Sequence, residues 1–420
     1  MATTAAGSAA GDNNAELPPP PPPSASDKTG FLKTCFNGVN ALSGIGLLSI
    51  PYAVSQGGWS SLAIFLAIAA ICCYTGILLQ RCMDASPLVA TYPDVGALAF
   101  GRRGRLAVAA FMYLELYLVA VDFLILEGDN LHKLFPAAAG FRLGGLRVGA
   151  KQGFVLAATL AVLPTTWFSS LGVLAYVAAA GALASAVLIA AVVWVAAVDG
   201  VGFRERGRLV RWAGMPSAVS LYSFCFSGHA VFPMIYGGMK DRRRFPAVLL
   251  VCFAVSTLSY GFMGVAGYLM YGDAVMSQVT LNLPPGKASS KVAIYTTLVN
   301  PLTKYALVVA PVAEAVEAAL GVRKSRLLRA LVRTALVVGT AVVALAVPFF
   351  ADVVALTGAL LSCTATMLLP SLCYLRVRAK LGYKKPWLET AACVVIVAVG
   401  TAIVVLGTYS SVKQIVQRLK

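Results

Sequence analysis

The chain has 420 residues, 59% of them hydrophobic and 12% charged, with a mean hydropathy of +0.80. A soluble domain is about half apolar and about a quarter charged, so one continuous membrane domain fits this length better than two or three soluble ones. The net charge of +17 does not mark a nucleic-acid binder, because Lys and Arg sit in short clusters between apolar runs and form no single basic face.

Residues 1–27 form a low-complexity segment with a proline run from Pro18 to Pro23. It is expected to be a disordered tail with local polyproline II character, and it lacks the basic start and apolar core of a signal peptide. The transmembrane domain then takes residues 28–420. Eleven apolar segments near the roughly 20 residues a bilayer requires fall at about 31–56, 60–80, 106–131, 151–169, 173–198, 216–238, 246–271, 298–321, 327–349, 352–375 and 388–410. The expected class is an all-α polytopic membrane protein. Its nine cysteines lie mostly inside apolar segments without paired or metal-ligand spacing and read as small core residues.

Span one carries the strongest local signal. It reads Phe36-Asn-Gly-Val-Asn-Ala-Leu-Ser-Gly-Ile-Gly-Leu-Leu-Ser-Ile-Pro51-Tyr, with glycines at 38, 44 and 46. Gly and Pro are the poorest helix formers, and bare backbone at membrane depth is tolerated only where protein buries it or it lines a cavity. Broken helices of this kind hold the substrate in many secondary transporters. Span six repeats the pattern as Phe224-Cys-Phe-Ser-Gly-His-Ala-Val-Phe-Pro233-Met-Ile-Tyr236-Gly-Gly. Both spans run Ser-Gly, Pro, Tyr, Gly-Gly. They lie five spans apart, and an odd offset places the two halves in opposite orientations, the mark of a five-plus-five inverted repeat.

An unwound helix leaves N–H groups at the start of one half-helix and C=O groups at the end of the other. The first attracts a carboxylate and the second an ammonium or metal ion. A zwitterionic amino acid carries both charges, so a pair of broken helices can hold it without ionised side chains. The centres of spans one and six contain no Asp, Glu, Lys or Arg. The bland alternative is glycine serving close helix packing alone. Candidate substrate-binding residues are Asn40, Ser43, Gly44, Ile45 and Gly46 in span one, Ser227 and Gly228 in span six, and the nearby aromatics Tyr117 and Phe224.

Ionisable groups at membrane depth are costly and point to function. Span three carries Glu115 and Asp122 two turns apart on one face, with Glu127 and Asp129 near its far end, where crowding suggests an interface or cap. Span eight carries Glu314 and Glu317, and Lys304 nearer its start. A carboxyl group in a low dielectric can take up a proton near neutral pH, so Glu317, Glu115 and Asp122 are candidate coupling or gating residues. His229, beside the span-six break, is a fourth, against the alternative of a neutral histidine hydrogen-bonded within the bundle. No Walker A motif, metal-spaced His/Cys set or Gly-x-Ser-x-Gly elbow occurs. No enzyme activity, cofactor or metal site is expected, and transport must draw on a gradient.

With the N-terminus cytoplasmic, 20 of the 34 Lys and Arg residues fall on the cytoplasmic side and 13 on the other, with Lys304 inside a span; the bias favours that orientation.

Five stretches in order resemble the vacuolar amino acid transporters of plants and yeasts, within the amino acid/auxin permease superfamily. They are Thr34-Cys-Phe-Asn-Gly-Val-Asn-Ala-Leu-Ser-Gly-Ile-Gly-Leu-Leu-Ser-Ile-Pro-Tyr-Ala53, Tyr92-Pro-Asp-Val-Gly96, Leu124-Ile-Leu-Glu-Gly-Asp-Asn-Leu131, Phe224-Cys-Phe-Ser-Gly-His-Ala-Val-Phe-Pro233 and Asn300-Pro-Leu-Thr-Lys-Tyr-Ala306. The resemblance covers roughly residues 30–410. It implies eleven spans with a five-plus-five inverted repeat and broken helices one and six, proton coupling, and an internal, vacuolar membrane. It places the substrate backbone site on Ser43 to Gly46 with Ser227 and Gly228, and an acidic residue at Glu317. Asp122 stands where many relatives carry a glutamate. In sodium-coupled carriers of this fold, hydroxyls in span eight complete a sodium site against span one; here Ala306 to Leu320 contains no Ser or Thr, which favours protons. The expected partners are an amino acid, protons and the lipid bilayer, with no nucleic acid and the oligomeric state left open. The rival readings are a plasma-membrane amino acid or auxin permease of the same superfamily and, from another class, a channel or receptor-like membrane protein.

Overall fold

The computed structural model describes residues 29–87, 89–143, 146–167, 174–382 and 387–420. The expected tail at 1–27 and the expected boundary between spans four and five at 169–172 lie outside the described residues. The described chain is almost wholly helical: α1 (Phe31–Leu42), α2 (Gly46–Gly57), α3 (Ser61–Asp84), α4 (Tyr92–Leu134), a hairpin of β1 (Phe141–Leu143) and β2 (Leu146–Val148), α5 (Ala150–Trp167), α6 (Leu174–Ala197), α7 (Met215–Cys225), α8 (Phe232–Gly237), α9 (Phe245–Tyr271), α10 (Ala288–Ala319), α11 (Arg326–Ala346), α12 (Phe350–Leu356), α13 (Leu369–Lys380) and α14 (Trp387–Leu419). The two strands pair antiparallel with Arg142 opposite Arg147.

Among the described residues eight helical segments are long and apolar enough to cross a membrane, and α1 with α2, bent by 53°, adds a ninth. In chain order α5 and α6 stand where spans four and five are expected. The 24 residues of α3 reach about 36 Å at ~1.5 Å per residue, more than the roughly 30 Å hydrocarbon core. Apolar side chains on the outer helices point outward, among them Leu331, Val338 and Val342 of α11 and Val395, Val405 and Leu406 of α14. A surface of that kind needs lipid or protein cover.

Three segments differ from the sequence expectation. Span eight begins at Ala288, ten residues before the expected 298. Its first turns carry Ser, Lys and Thr, which lower the hydropathy, yet Thr296 and Thr297 return their hydroxyls to the carbonyls of Val292 and Ala293 and so stay helical. The third span has a lead-in, residues 92–100, that turns at Gly101 (φ 67°, ψ −155°) into the crossing segment. Only a residue without Cβ adopts that conformation cheaply. Thr91 and Asp94 close the lead-in's start with a reciprocal capping box. In span ten the helix widens to π geometry over Thr357–Ser362 and Thr364–Leu368, a feature that often marks functional sites.

The broken spans form the centre. Nearly all of α2 is buried, packed between α7 and α9. Missing side chains make the contact close: a Cβ on Gly264 would sit 2.6 Å from Ile50 Cγ2, and one on Gly267 2.6 Å from Pro51 Cβ. Cys225 and Cys252 serve as small core residues against Gly46 and Gly38. At the face where α1 begins, Thr29 pairs with the chain after α8: its N–H donates to Gly238 O at 2.8 Å, and its carbonyl accepts from Lys240 N–H at 3.1 Å. Tyr236 donates to Asp84 beside it. On the same face Glu389 accepts from Arg81 at 2.9 Å and from Arg378 at 2.7 Å, tying spans two, ten and eleven.

A Cβ on Gly358 would overlap the carbonyl oxygen of Ser220 and lie 2.9 Å from Phe224 Cβ. Overpacking of this kind costs about 1–3 kcal/mol, and more against backbone. Gly358→Val is therefore expected to lower the melting temperature and the yield of monodisperse protein, measured by fluorescence-detected size exclusion after heating. Gly237→Ala, where no atom lies within 4 Å of the added carbon, is expected to behave as the parent.

Candidate functional site between the two broken spans

The helix of span one stops at Leu42 and restarts at Gly46. Tyr260 of α9 bridges the gap: its hydroxyl donates to Leu42 O at 2.5 Å and accepts from the Gly44 N–H at 3.3 Å. Ser43 Oγ lies 2.8 Å from Ser185 Oγ of α6. The Lys304 ammonium of α10 reaches Ser43 O at 3.1 Å and Asn40 O at 3.5 Å. Leu47 and Leu48 return their N–H groups to Gly44 O and Ile45 O, whereas those of Ile45 and Gly46 have no acceptor among the described residues. The positive end of α2 is thus open to an anion.

Span six breaks at the same depth. Helix α7 ends at Cys225, a single 3₁₀ turn spans His229–Val231, and α8 begins at Phe232. The two breaks nest. A Cβ on Gly46 would be 2.7 Å from Cys225 Sγ and 3.3 Å from its Cα, and a Cβ on Gly228 would be 2.6 Å from Leu42 Cδ2. The start of α2 therefore lies on the end of α7, setting a positive helix end beside a negative one. Gly44 differs, since nothing lies within 4 Å of its missing Cβ.

Glu115 enters this junction from α4. Ser227 Oγ, at the span-six break, and Ser362 Oγ, in the π segment of span ten, each donate to Glu115 Oε1 at 2.5 Å. One carboxylate so links spans three, six and ten. Asp122, two turns along the same face, is fully buried with neither oxygen hydrogen-bonded. An ionised carboxylate in such surroundings is costly, and a bound proton removes most of that cost.

The side chains of the remaining candidates make contacts of their own. Tyr117 follows Glu115 by two residues, about 200° round the helix, and its hydroxyl lies against Gly339 of α11 instead of entering the breaks. Phe224 is half-buried and packs beside Gly358. Asn40 turns its carboxamide toward Gly181 of α6, with Oδ1 lacking a donor. His229 is buried with Nε2 3.0 Å from Thr75 Oγ1 of α3, the hydrogen-bonded arrangement weighed as its alternative. Asp129 pairs with Lys151 of α5 at 2.5 Å and accepts from Gln278 at 3.0 Å, an interface as the crowding suggested. Glu317 is buried and paired with Arg333 of α11 at 2.7 Å, while Arg333 also donates to Thr166 O of α5 at 2.7 Å. Glu314, one turn away, is exposed. The pair ties spans four, eight and nine at the face where α1 begins.

Sequence reasoning did not anticipate Tyr260, Ser185, Ser362 or Arg333. The first three are single hydroxyls inside apolar helices, where no local pattern sets them apart.

The profile of the family described as "Transmembrane amino acid transporter protein" matches residues 27–413. The chain belongs to this family. Its relatives include Amino acid transporter AVT1I of Arabidopsis thaliana, 47% identical over 390 residues, covering 92% of this chain and 95% of the relative. AVT1J of the same plant is 47% identical over 397 residues, covering 93% and 92%. The transporter also resembles, among solved structures, MhsT in complex with L-phenylalanine, with a TM-score of 0.58 at 12% identity over 90% of this chain and 98% of that one. At that identity the likeness is one of fold, and it agrees with a polytopic all-α membrane architecture. The resemblance drawn from the five sequence stretches, to the amino acid/auxin permease superfamily, therefore holds.

Two outcomes follow from the geometry. Gly46→Val is expected to depress folding because its branches meet Cys225 backbone. Gly44→Val is expected to leave the transporter folded and inserted while abolishing substrate uptake, because its side chain fills open space at the break; normal uptake by Gly44→Val would remove the break from the site. Separately, Glu317→Gln leaves a buried arginine with a neutral partner, and breaking such a pair costs about 3–5 kcal/mol. A melting temperature well below that of Glu314→Gln is expected, read on the same purified material.

Proposed function

We propose that the transporter carries amino acids across an internal, vacuolar membrane by a proton-coupled cycle with its substrate site at the two nested breaks. The observation that carries this reading is Glu115, a membrane-depth carboxylate held by one serine of the span-six break and one of the span-ten π segment. A group so placed reports its charge directly to the backbone that binds substrate. In this reading the substrate carboxylate takes the free N–H groups of Ile45 and Gly46 at the start of α2. The substrate ammonium faces the carbonyl end of α7. Side chains extend into the space beside Gly44. Ser43, Ser227 and Gly228 shape the walls, and Leu42 against Gly228 sets the spacing.

Proton transfer at Glu115 gives the cycle its coupling. As the ionised acceptor it holds both hydroxyls, and span six stays tied to spans three and ten. Once protonated it accepts less strongly, the ties loosen, and the broken half of span six is freer to move. Asp122, on the same face and without a donor, offers a second proton position along α4. The five-plus-five repeat read from the sequence supplies the symmetry that such a cycle needs, each broken span serving one half. Support for an amino acid as substrate comes from the relatives named amino acid transporters. Support for the internal membrane comes from the resemblance to vacuolar carriers. An excess of Lys and Arg on one side favours a cytoplasmic face at the start of α1.

Purified transporter in proteoliposomes tests the reading against a panel of radiolabelled amino acids with an imposed pH gradient. Uptake of at least one amino acid is expected, collapsing on addition of a protonophore and unchanged when choline replaces sodium. Glu115→Gln is expected to reduce gradient-driven uptake at least tenfold while retaining counterflow exchange. Strict sodium dependence, or a Glu115→Gln variant driven normally by the gradient, would overturn the coupling. A tagged copy found at the plasma membrane would overturn the location.

A further inference from the structure

A cation already occupies the carbonyl end of α1. Lys304 lies near the middle of α10, at membrane depth, and its Nζ sits 3.1 Å from Ser43 O and 3.5 Å from Asn40 O. These carbonyls belong to the last turn of α1 and the break after it, where the helix dipole is negative. Among the described residues Lys304 has no carboxylate partner within ion-pair distance, whereas the other buried cation, Arg333, holds Glu317. A membrane-depth ammonium is costly unless something compensates it. Here the compensation comes from backbone oxygens.

Further oxygens from α1, the break after it and α6 lie beside these carbonyls. Besides the two carbonyls, Ser43 Oγ and Ser185 Oγ lie together at 2.8 Å. Asn40 Oδ1 is buried without a donor. Gly181 of α6 leaves the approach clear: a Cβ there would lie 3.1 Å from both Lys304 Cε and Nζ and would overlap Asn40 Oδ1. Uncharged oxygens, such as the two carbonyls that Lys304 meets, are what hard monovalent and divalent cations take as ligands.

We infer that Lys304 is a tethered cation filling an oxygen-lined site between α1, α6 and α10, so that the broken span is held in its binding geometry without a free alkali ion. The amine plays a positioning role through the backbone of Asn40 and Ser43. It gives the proposed proton-coupled cycle a fixed charge in place of sodium, a step beyond the lack of Ser and Thr from Ala306 to Leu320. The inference rests on the break being the site proposed above for substrate, but its first readout needs no substrate.

The test is the melting temperature of purified full-length protein in detergent, in choline, sodium or methylammonium chloride at equal ionic strength. The wild type is expected to melt alike in all three. Lys304→Ala vacates the site and is expected to melt lower in choline and to be stabilised selectively by sodium or methylammonium. Lys304→Met fills the volume without the charge and is expected to stay low in every salt. In proteoliposomes Lys304→Ala should lose at least tenfold of its uptake in choline and recover part of it with the cation that stabilises it. A Lys304→Ala protein that melts as the wild type in choline, or that is destabilised and indifferent to both small cations, would overturn the inference. If Lys304→Ala gives no folded protein in choline, purification in sodium and methylammonium decides: recovery in either supports the site, and failure in both overturns it. A melting response without any amino acid uptake by the wild type would uphold the cation site and count against the transport reading alone.

Discussion

Unpaired backbone at membrane depth is the constraint from which this architecture follows. Each helix interruption exposes N–H and C=O groups where no water competes for them. At the first break the carbonyls of Leu42, Ser43 and Asn40 are met by Tyr260 and Lys304. The N–H groups of Ile45 and Gly46 are left open. The compensation is therefore one-sided, and the open side defines where an anionic group is welcome. Helix α9 looks like scaffold in the sequence and α10 stands out for its charges, yet each contributes the side chain that lets span one stay broken. The close approach of Gly264 and Gly267 to Ile50 and Pro51 brings Tyr260 within reach of the gap.

The buried charges divide by the same logic. Glu317 and Arg333 satisfy each other and, with Thr166, knit three helix ends; such pairs give little net stability but are costly to break. Glu115 has hydroxyl partners only, and both belong to elements that depart from α-helical geometry, the span-six break and the span-ten π segment. Asp122 has no donor among the described residues. Carboxyl groups with weak or absent partners are the ones whose charge can change at modest cost to the fold.

Much of this was legible in the residues. The order of the spans, the two breaks and Glu115 as an acid at membrane depth follow from glycine, proline and charge placed in apolar runs. The family resemblance rests on stretches that surround those same features. What stayed hidden depends on distance in the sequence. Arg333 reads as one of several cytoplasmic-side charges until α11 is seen to carry it against Glu317. Tyr260, Ser185 and Ser362 carry no periodic signal, because a lone hydroxyl in an apolar helix can bond its own backbone equally well, as Thr296 and Thr297 do. Tyr117 reads in the sequence as an aromatic near the breaks, and helix geometry turns its hydroxyl to Gly339 of α11. The π widening at Thr357–Ser362 holds Gly358 but no proline, and one glycine in an apolar run does not announce a change of helix type.

The pairing of Thr29 with Gly238 and Lys240 ties the first residues of span one to the chain that leaves span six. Those bonds run between main-chain atoms, so the latch is written in chain geometry instead of side-chain chemistry. Substitutions nearby can trim its edges, as at Tyr236, but cannot delete it residue by residue. Any motion that parts spans one and six at this face has to unzip a strand-like contact first. The two broken helices are accordingly geared together at their shared end, and a displacement begun in either is handed to the other before it reaches the rest of the bundle.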